Sequence, residues 1–225
     1  MILKRRHKSL SLKMTKAKAN KILNILNKEF HDAKPALKAK STFQFLIAVI
    51  LSAQCTDKRV NATTPLLFKK WPDAGSLALA KVGDVEGVIR PLGFFRSKTR
   101  SIIGCSKGLV ERFGGRVPGN RDDLESLPGV GRKTASVVLG NIFGVPALAV
   151  DTHVKRVSKR IGFTNFTDVV KIEDDLCRVI PKAKWALATN LLILHGRKTC
   201  KAPRPLCPQC HIKGLCNYYS IHFKS

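Results

Sequence analysis

Residues 42 to 54 read TFQFLIAVILSAQ, a run with almost no polar face in any direction. A helix that is apolar all round cannot lie on a surface, so other elements must wall it in on every side. The rest of the chain supplies such walls. Ile22, Leu23, Ile25, Leu26 and Phe30 recur at helical spacing behind a lysine-rich face. Helical patterns also cover residues 57–69, 76–81, 84–89, 97–113, 121–127, 132–143, 152–161, 168–180 and 184–195. Gly114 and Gly115 stand where the longest of these would be closed. No alternating strand pattern with hairpin turns intervenes, so the expected fold class is all-α. From Gly196 onward prolines, basic residues and four clustered cysteines replace the periodic pattern. That stretch reads as non-helical and in need of another organiser. Gly144 and Pro146, in GNIFGVPALAV, mark the best crossing between two domains.

The charge narrows what such a chain can do. Forty-one Lys and Arg against fifteen Asp and Glu give a net +26 over 225 residues. A folded body this basic calls for a polyanionic partner, nucleic acid first. Residues 1–28 hold nine of the basic side chains and no acid, so a basic tail over residues 1–16, read as flexible, accounts for only part of the excess. The longest apolar run, FLIAVIL, falls far short of a bilayer span, and no membrane partner is expected. The basic start lacks the apolar stretch of a secretory signal, so export is not expected. A mitochondrial address stays open.

Seven cysteines in an unexported chain point to a metal or cluster rather than to disulfides. Cys200, Cys207, Cys210 and Cys216 follow C-x6-C-x2-C-x5-C, four thiols within seventeen residues that can surround one centre. Zinc and an iron–sulfur cluster both remain open, with a slight lean to the cluster because only one short C-x2-C unit is present. Cys55, Cys105 and Cys177 stand alone in helical stretches and read as ordinary buried residues.

Between two predicted helices lies LPGVGRKTAS, residues 127–136. A helix, a PGVG turn and a second helix make a helix–hairpin–helix. Gly129 and Gly131 let its backbone approach a phosphate, and the second helix offers free N–H groups and its positive dipole end. Such a unit holds a nucleic-acid backbone without reading sequence. Arg132 and Lys133 open that second helix. Phosphate contact is the ordinary role for such a lysine, yet the dipole and Arg132 also favour the uncharged amine that a nucleophile needs. Asp151, in VDTHVKR, is placed as a helix N-cap and is also the acid–base partner that such chemistry requires. His153 reads as structural or as a phosphate contact. Gln54 and Asp57 leave the apolar run as polar residues facing a pocket or an interface. Phe94 and Phe95, in GFFRSK, combine aromatic rings with basic neighbours, as wedges beside an extruded base do, although core packing suits one of the two equally.

Taken together, ILSAQCTDKRVN, LGFFRSK, LPGVGRKTASVV, AVDTHVKRVSKR, LLILHGRKTC and the four-cysteine tail resemble the endonuclease III family of DNA glycosylases with AP-lyase activity. The matching text runs from about residue 35 to 216 in family order. The resemblance implies two all-helical domains with a DNA-binding cleft between them. Residues 35–145 would form a six-helix domain containing the hairpin. Residues 1–34 and 146–225 would form a discontinuous second domain carrying a [4Fe-4S] cluster on Cys200, Cys207, Cys210 and Cys216. It further implies that Lys133 is the nucleophile, Asp151 its essential partner, Gln54 the residue filling the space of a flipped nucleotide, and Phe94 the wedge. Gly129, Gly131, Arg132, His153, Lys201 and Arg204 would meet DNA.

The expected substrate is duplex DNA with an oxidised pyrimidine or an abasic site, cut 3′ to the lesion by β-elimination. The expected state is a monomer, at the nucleoid in a bacterium or in the nucleus or mitochondrion of a eukaryote. An adenine-excising relative is the competing enzyme, but that group lacks lysine at position 133 and carries a further C-terminal domain. A non-catalytic DNA-binding or redox-sensing protein would not need Lys133 and Asp151 together. The chain departs from the family pattern at Cys55, where a small residue is common, at Phe94, often leucine, and at Pro203 and Pro205 around Arg204.

Overall fold

The computed structural model describes residues 14–31 and 33–223. Most of the predicted basic tail, residues 1–13, lies outside the described residues. Every regular element among those described is helical. In order they are α1 (Lys16–Glu29), α2 (Thr42–Leu51), α3 (Asp57–Lys70), α4 (Ala74–Ala78), α5 (Val82–Ile89), α6 (Phe95–Phe113), α7 (Arg121–Glu125), α8 (Arg132–Ile142), α9 (Thr152–Ile161), α10 (Val169–Val179), α11 (Trp185–Lys198) and α12 (Asn217–His222). Short 3-10 turns join several of them. The chain divides into two compact units, Lys34–Ala149 and Met1–Ala33 with Val150–Ser225.

In the unit spanning Lys34–Ala149, α2 is the buried centre. Ser41 caps it by accepting from the Gln44 N–H, and Phe43 and every residue from Phe45 to Leu51 are buried. α3, α6 and α8 pack around it, and α4 and α5 pack on α6. The predicted helix over 42–54 is too long. It stops at Leu51, where the Ser52 hydroxyl donates to the Val49 carbonyl at 2.7 Å and competes with the helical ladder. The pattern over 76–81 also starts late: the helix begins at Ala74, because Asp73 and Ser76 form a reciprocal capping box. α6 begins at Phe95 rather than at Ser97.

In the other unit α1 and α9 pack on α11, and α10 and α12 pack on α9. Thr15 caps α1, so the last described part of the predicted tail belongs to this helix. Ile22, Leu23, Leu26, Val154, Val157, Ile161, Leu191 and Leu192 form its apolar interior. The region after Gly196 is not free of helix. α11 runs on to Lys198, and α12 follows the last cysteine, with Tyr219 stacked on Phe223 at 5.4 Å between ring centroids. Of the three isolated cysteines, Cys105 is buried as expected, while Cys55 and Cys177 are half-buried.

Candidate active site

The hairpin stretch is built by close backbone packing. Gly129 adopts φ +77°, and a Cβ there would stand 2.6 Å from the Ser101 Cβ on α6. No other residue fits both conditions. Pro128 and Leu127 lie on two further glycines of α6. A Cβ at Gly104 would meet the Pro128 Cβ at 3.1 Å, and one at Gly108 would meet the Leu127 Cδ2 at 3.0 Å. The spacing of these two in GCSKG, one helical turn apart, is the sequence signal for this seat. Arg121 then ties α7 to α8, its Nη2 donating to the Ser136 hydroxyl at 3.1 Å. Gly131, at φ −99°, is the N-cap of α8, and no side chain caps that end. Its first N–H groups are therefore open to an anion. Space around Gly131 is clear, with nothing within 4 Å of a Cβ. Arg132 and Lys133 are the first two residues of α8, both exposed.

Gln54 and Phe94 share a peculiarity. Among the described residues they are the two non-glycine residues with positive φ, at 52° and 48°. Such a conformation costs an L-residue roughly 1–2 kcal/mol, and strain of this kind gathers at functional sites. Gln54 is exposed just beyond the end of α2. Phe94 is 67% exposed, an unusual position for a phenyl ring, while its neighbour Phe95 packs against the apolar core.

Asp151 is the N-cap of α9, its Oδ1 accepting from the Val154 N–H at 2.8 Å. Capping uses that one carboxylate oxygen. His153, on the first turn of α9, is half-buried, with its Nδ1 3.1 Å from the Arg156 guanidinium. Guanidinium only donates, so Nδ1 accepts here. Burial pushes the imidazole below its ordinary value, against the opposing pull of Asp151 and with that of Arg156. Lys133 belongs to the unit Lys34–Ala149 and Asp151 to the other unit.

Further along α9, Arg156 and Arg160 stand one turn apart and hold the cysteine loop. Arg156 donates to the carbonyls of Cys200 at 3.1 Å and Gly196 at 2.8 Å. Arg160 donates to the carbonyls of Lys201 at 2.6 Å and Ala202 at 2.8 Å, and approaches the Cys200 Sγ at 3.5 Å. Their sequence signal is two arginines four apart in VKRVSKR, a spacing that puts both on one face of α9. Lys201 and Arg204 are exposed on the loop so pinned. One helix thus carries Asp151 at its N-terminus and the anchors of the cysteine loop along its length.

The four loop cysteines are buried and line one cavity, together with Arg160, His195 and Tyr218. Burial raises the thiols of Cys207 and Cys216 and pushes Cys210 up to about 11, the other cysteines adding to it. Four thiolates here need cationic charge to offset that cost. No three described His, Cys, Asp or Glu side chains converge tightly enough for a lone metal ion. Four thiols lining one cavity are the donor set that a metal ion or an iron–sulfur cluster takes.

Residues 47–182 match the model of the HhH-GPD superfamily base excision DNA repair protein. The chain is 46% identical to endonuclease III of Synechocystis over 202 residues, 89% of this chain and 92% of that protein. It is 43% identical to endonuclease III of Escherichia coli over 208 residues, 91% of this chain and 97% of that protein. The chain belongs to the endonuclease III family. Among solved structures, that of a non-covalent endonuclease III–DNA complex superimposes with a TM-score of 0.89 at 42% identity, covering 95% of this chain and all of that one. That of a trapped endonuclease III–DNA covalent intermediate gives a TM-score of 0.88 at 43% identity, covering 93% and 99%. In this endonuclease III family member the second half of α2, the turn before α6, the hairpin and α9 fall inside the family match.

Proposed function

We propose that Lys133 is the nucleophile and Asp151 its acid–base partner in a glycosylase and AP-lyase reaction on duplex DNA carrying oxidised pyrimidines or abasic sites. Membership of the endonuclease III family makes the chain a base excision repair DNA glycosylase and AP lyase. The observation that carries the residue assignment is Lys133 itself, an exposed amine on the first turn of a helix whose N-terminus no side chain caps.

The chain's groups divide the labour. N–H groups at the start of α8 and the Arg132 guanidinium hold the phosphate backbone. Phe94 wedges into the stack and Gln54 takes the room vacated by the extruded nucleotide. Lys133 Nζ, relieved of its proton by the Asp151 carboxylate directly or through water, attacks C1′ of the sugar. The C1′–N bond breaks and the base leaves with the electron pair, taking up a proton. Ring opening moves a proton to O4′ and leaves an imine between Nζ and C1′. The imine acidifies the C2′ proton; its removal expels the 3′ phosphate and cuts the strand. Asp151 also offsets the positive charge that develops on the sugar.

Cys200, Cys207, Cys210 and Cys216 would hold a [4Fe-4S] cluster. When bound, it supplies cross-linking of a loop that has no core of its own, and Lys201 and Arg204 are thereby kept at phosphate contacts. His153, fixed by Arg156, supports α9 near the backbone. The protein is expected to act as a monomer on the cell's DNA, at the nucleoid in a bacterium. No described helix is long and apolar enough to cross a membrane.

Incubation with an abasic duplex in the presence of borohydride tests this reading. The wild type is expected to become covalently attached to DNA and Lys133→Ala to stay free. Equal attachment by both proteins contradicts the assignment.

A further inference from the structure

The wedge assigned to Phe94 raises a mechanical question: what keeps an exposed ring on a left-handed residue in one posture? The turn before it offers little of its own. A 3-10 turn ends at Leu92, Gly93 follows at φ 67°, and Phe94 at φ 48°. Phe94 caps α6 without any side-chain hydrogen bond.

The answer lies one turn into α6. Lys98 is 5% exposed, the one lysine or arginine among the buried described residues. Its Nζ reaches back and donates to the Leu92 carbonyl at 3.1 Å. Its own backbone N–H donates to the Phe94 carbonyl at 3.0 Å. One residue therefore holds the turn on both sides of Gly93, by side chain before it and by backbone after it. The ammonium also interacts electrostatically with Cys55, the neighbour of Gln54.

A buried ammonium is a costly way to fill core volume. Burial pushes Lys98 below the ordinary lysine value, and a methionine would occupy the same path at no such cost. Here the buried amine meets a loop carbonyl that takes its hydrogen bond.

We infer that Lys98 is a positioning residue that locks the Leu92–Phe94 turn, so that the Phe94 ring stays aimed into the stack while a nucleotide is extruded. This rests on the reading of Phe94 as the wedge. Extrusion matters only when the lesion is held in a duplex. A single-stranded abasic site is already unstacked and unpaired, so its attack by Lys133 does not need the wedge.

The test compares borohydride trapping rates on the same abasic oligonucleotide, single-stranded and annealed, for wild type, Lys98→Met, Lys98→Arg, Phe94→Ala and Lys98→Met/Phe94→Ala. The ratio of duplex to single-strand rate is taken within each sample, so any loss of folded protein cancels. Lys98→Met is expected to lower the ratio at least tenfold, with Lys98→Arg recovering most of it. The double variant is expected to match Phe94→Ala, because both changes disable one device. An unchanged ratio in Lys98→Met overturns the inference, and so does a further drop in the double variant. Wild type that traps neither substrate would instead overturn the lyase reading beneath it. Wild type and Phe94→Ala with equal ratios would remove the wedge, and the inference with it.

Discussion

Gly129→Ala and Gly131→Ala look like twin changes in one hairpin, yet the structure gives them opposite consequences. At Gly129 the backbone sits at φ +77° and the new methyl would lie 2.6 Å from the Ser101 Cβ, 3.0 Å from its Oγ and 3.4 Å from the Ile50 Cγ2. The left-handed conformation alone costs an alanine roughly 1–2 kcal/mol. Forcing a methyl into an occupied core site adds roughly 1–3 kcal/mol. Together these take about 2–5 kcal/mol from the stability of the hairpin's seat. For a chain of this size that is a fall in Tm of roughly 4–20 °C. Gly131 has an ordinary φ and open space around it. Its alanine variant loses only the modest N-cap preference for glycine, about 0.5–1 kcal/mol. What it does lose is the close approach of a phosphate to the start of α8. The assay is thermal unfolding beside the Kd for an uncleavable abasic-analogue duplex. Gly129→Ala should melt early, and Ser101→Gly in the same chain should recover the steric share but not the conformational share. Gly131→Ala should melt within a few degrees of wild type and bind DNA at least tenfold more weakly. Equal melting losses in the two variants would refute this division of the hairpin into a packed glycine and an open one.

Other outcomes follow from the remaining parts of the site. Asp151→Asn keeps the cap on Val154, since asparagine caps as well as aspartate, so its Tm should be near that of wild type. Its base-release rate should fall about 10²–10⁴-fold, as measured on a duplex with thymine glycol. Asp151→Ala should add a stability loss of about 1 kcal/mol, seen in denaturant unfolding. Arg160→Met removes the donors to the Lys201 and Ala202 carbonyls, and should speed the loss of the proposed cluster's iron to a chelator, read from visible absorption. Removing residues 1–13, with five Lys or Arg, should weaken DNA affinity and flatten the slope of log K against log salt by up to about 4 units.

Much of this was legible because helices announce themselves locally. The all-round apolar run of α2, the PGVG break and the four-cysteine spacing are each decided by neighbours within a few positions. What escaped was decided by partners far away in sequence. Arg160 reads as one more surface charge until the loop carbonyls of Lys201 and Ala202, forty residues on, are seen to accept its hydrogen bonds. Lys98 reads only as a basic neighbour of two aromatics, and its burial against the Leu92 carbonyl is not written in GFFRSK. Gly104 and Gly108, one turn apart in GCSKG, signal a close approach to α6, but that Leu127 and Pro128 are what rest there is decided by distant packing. Helix ends were missed where side chains compete with the ladder, as Ser52 does after α2. α12 escaped because the prolines of the cysteine loop dominate the local composition, although they end before Asn217.

The most direct test of the central claim is to find the atom joined to DNA. The borohydride-reduced complex with an abasic duplex can be digested with protease and nuclease, and its cross-linked peptide sequenced by mass spectrometry. The account predicts a single modified residue, Lys133, carrying the sugar remnant through its Nζ. A remnant on any other lysine, or on the chain's amino terminus, would contradict it.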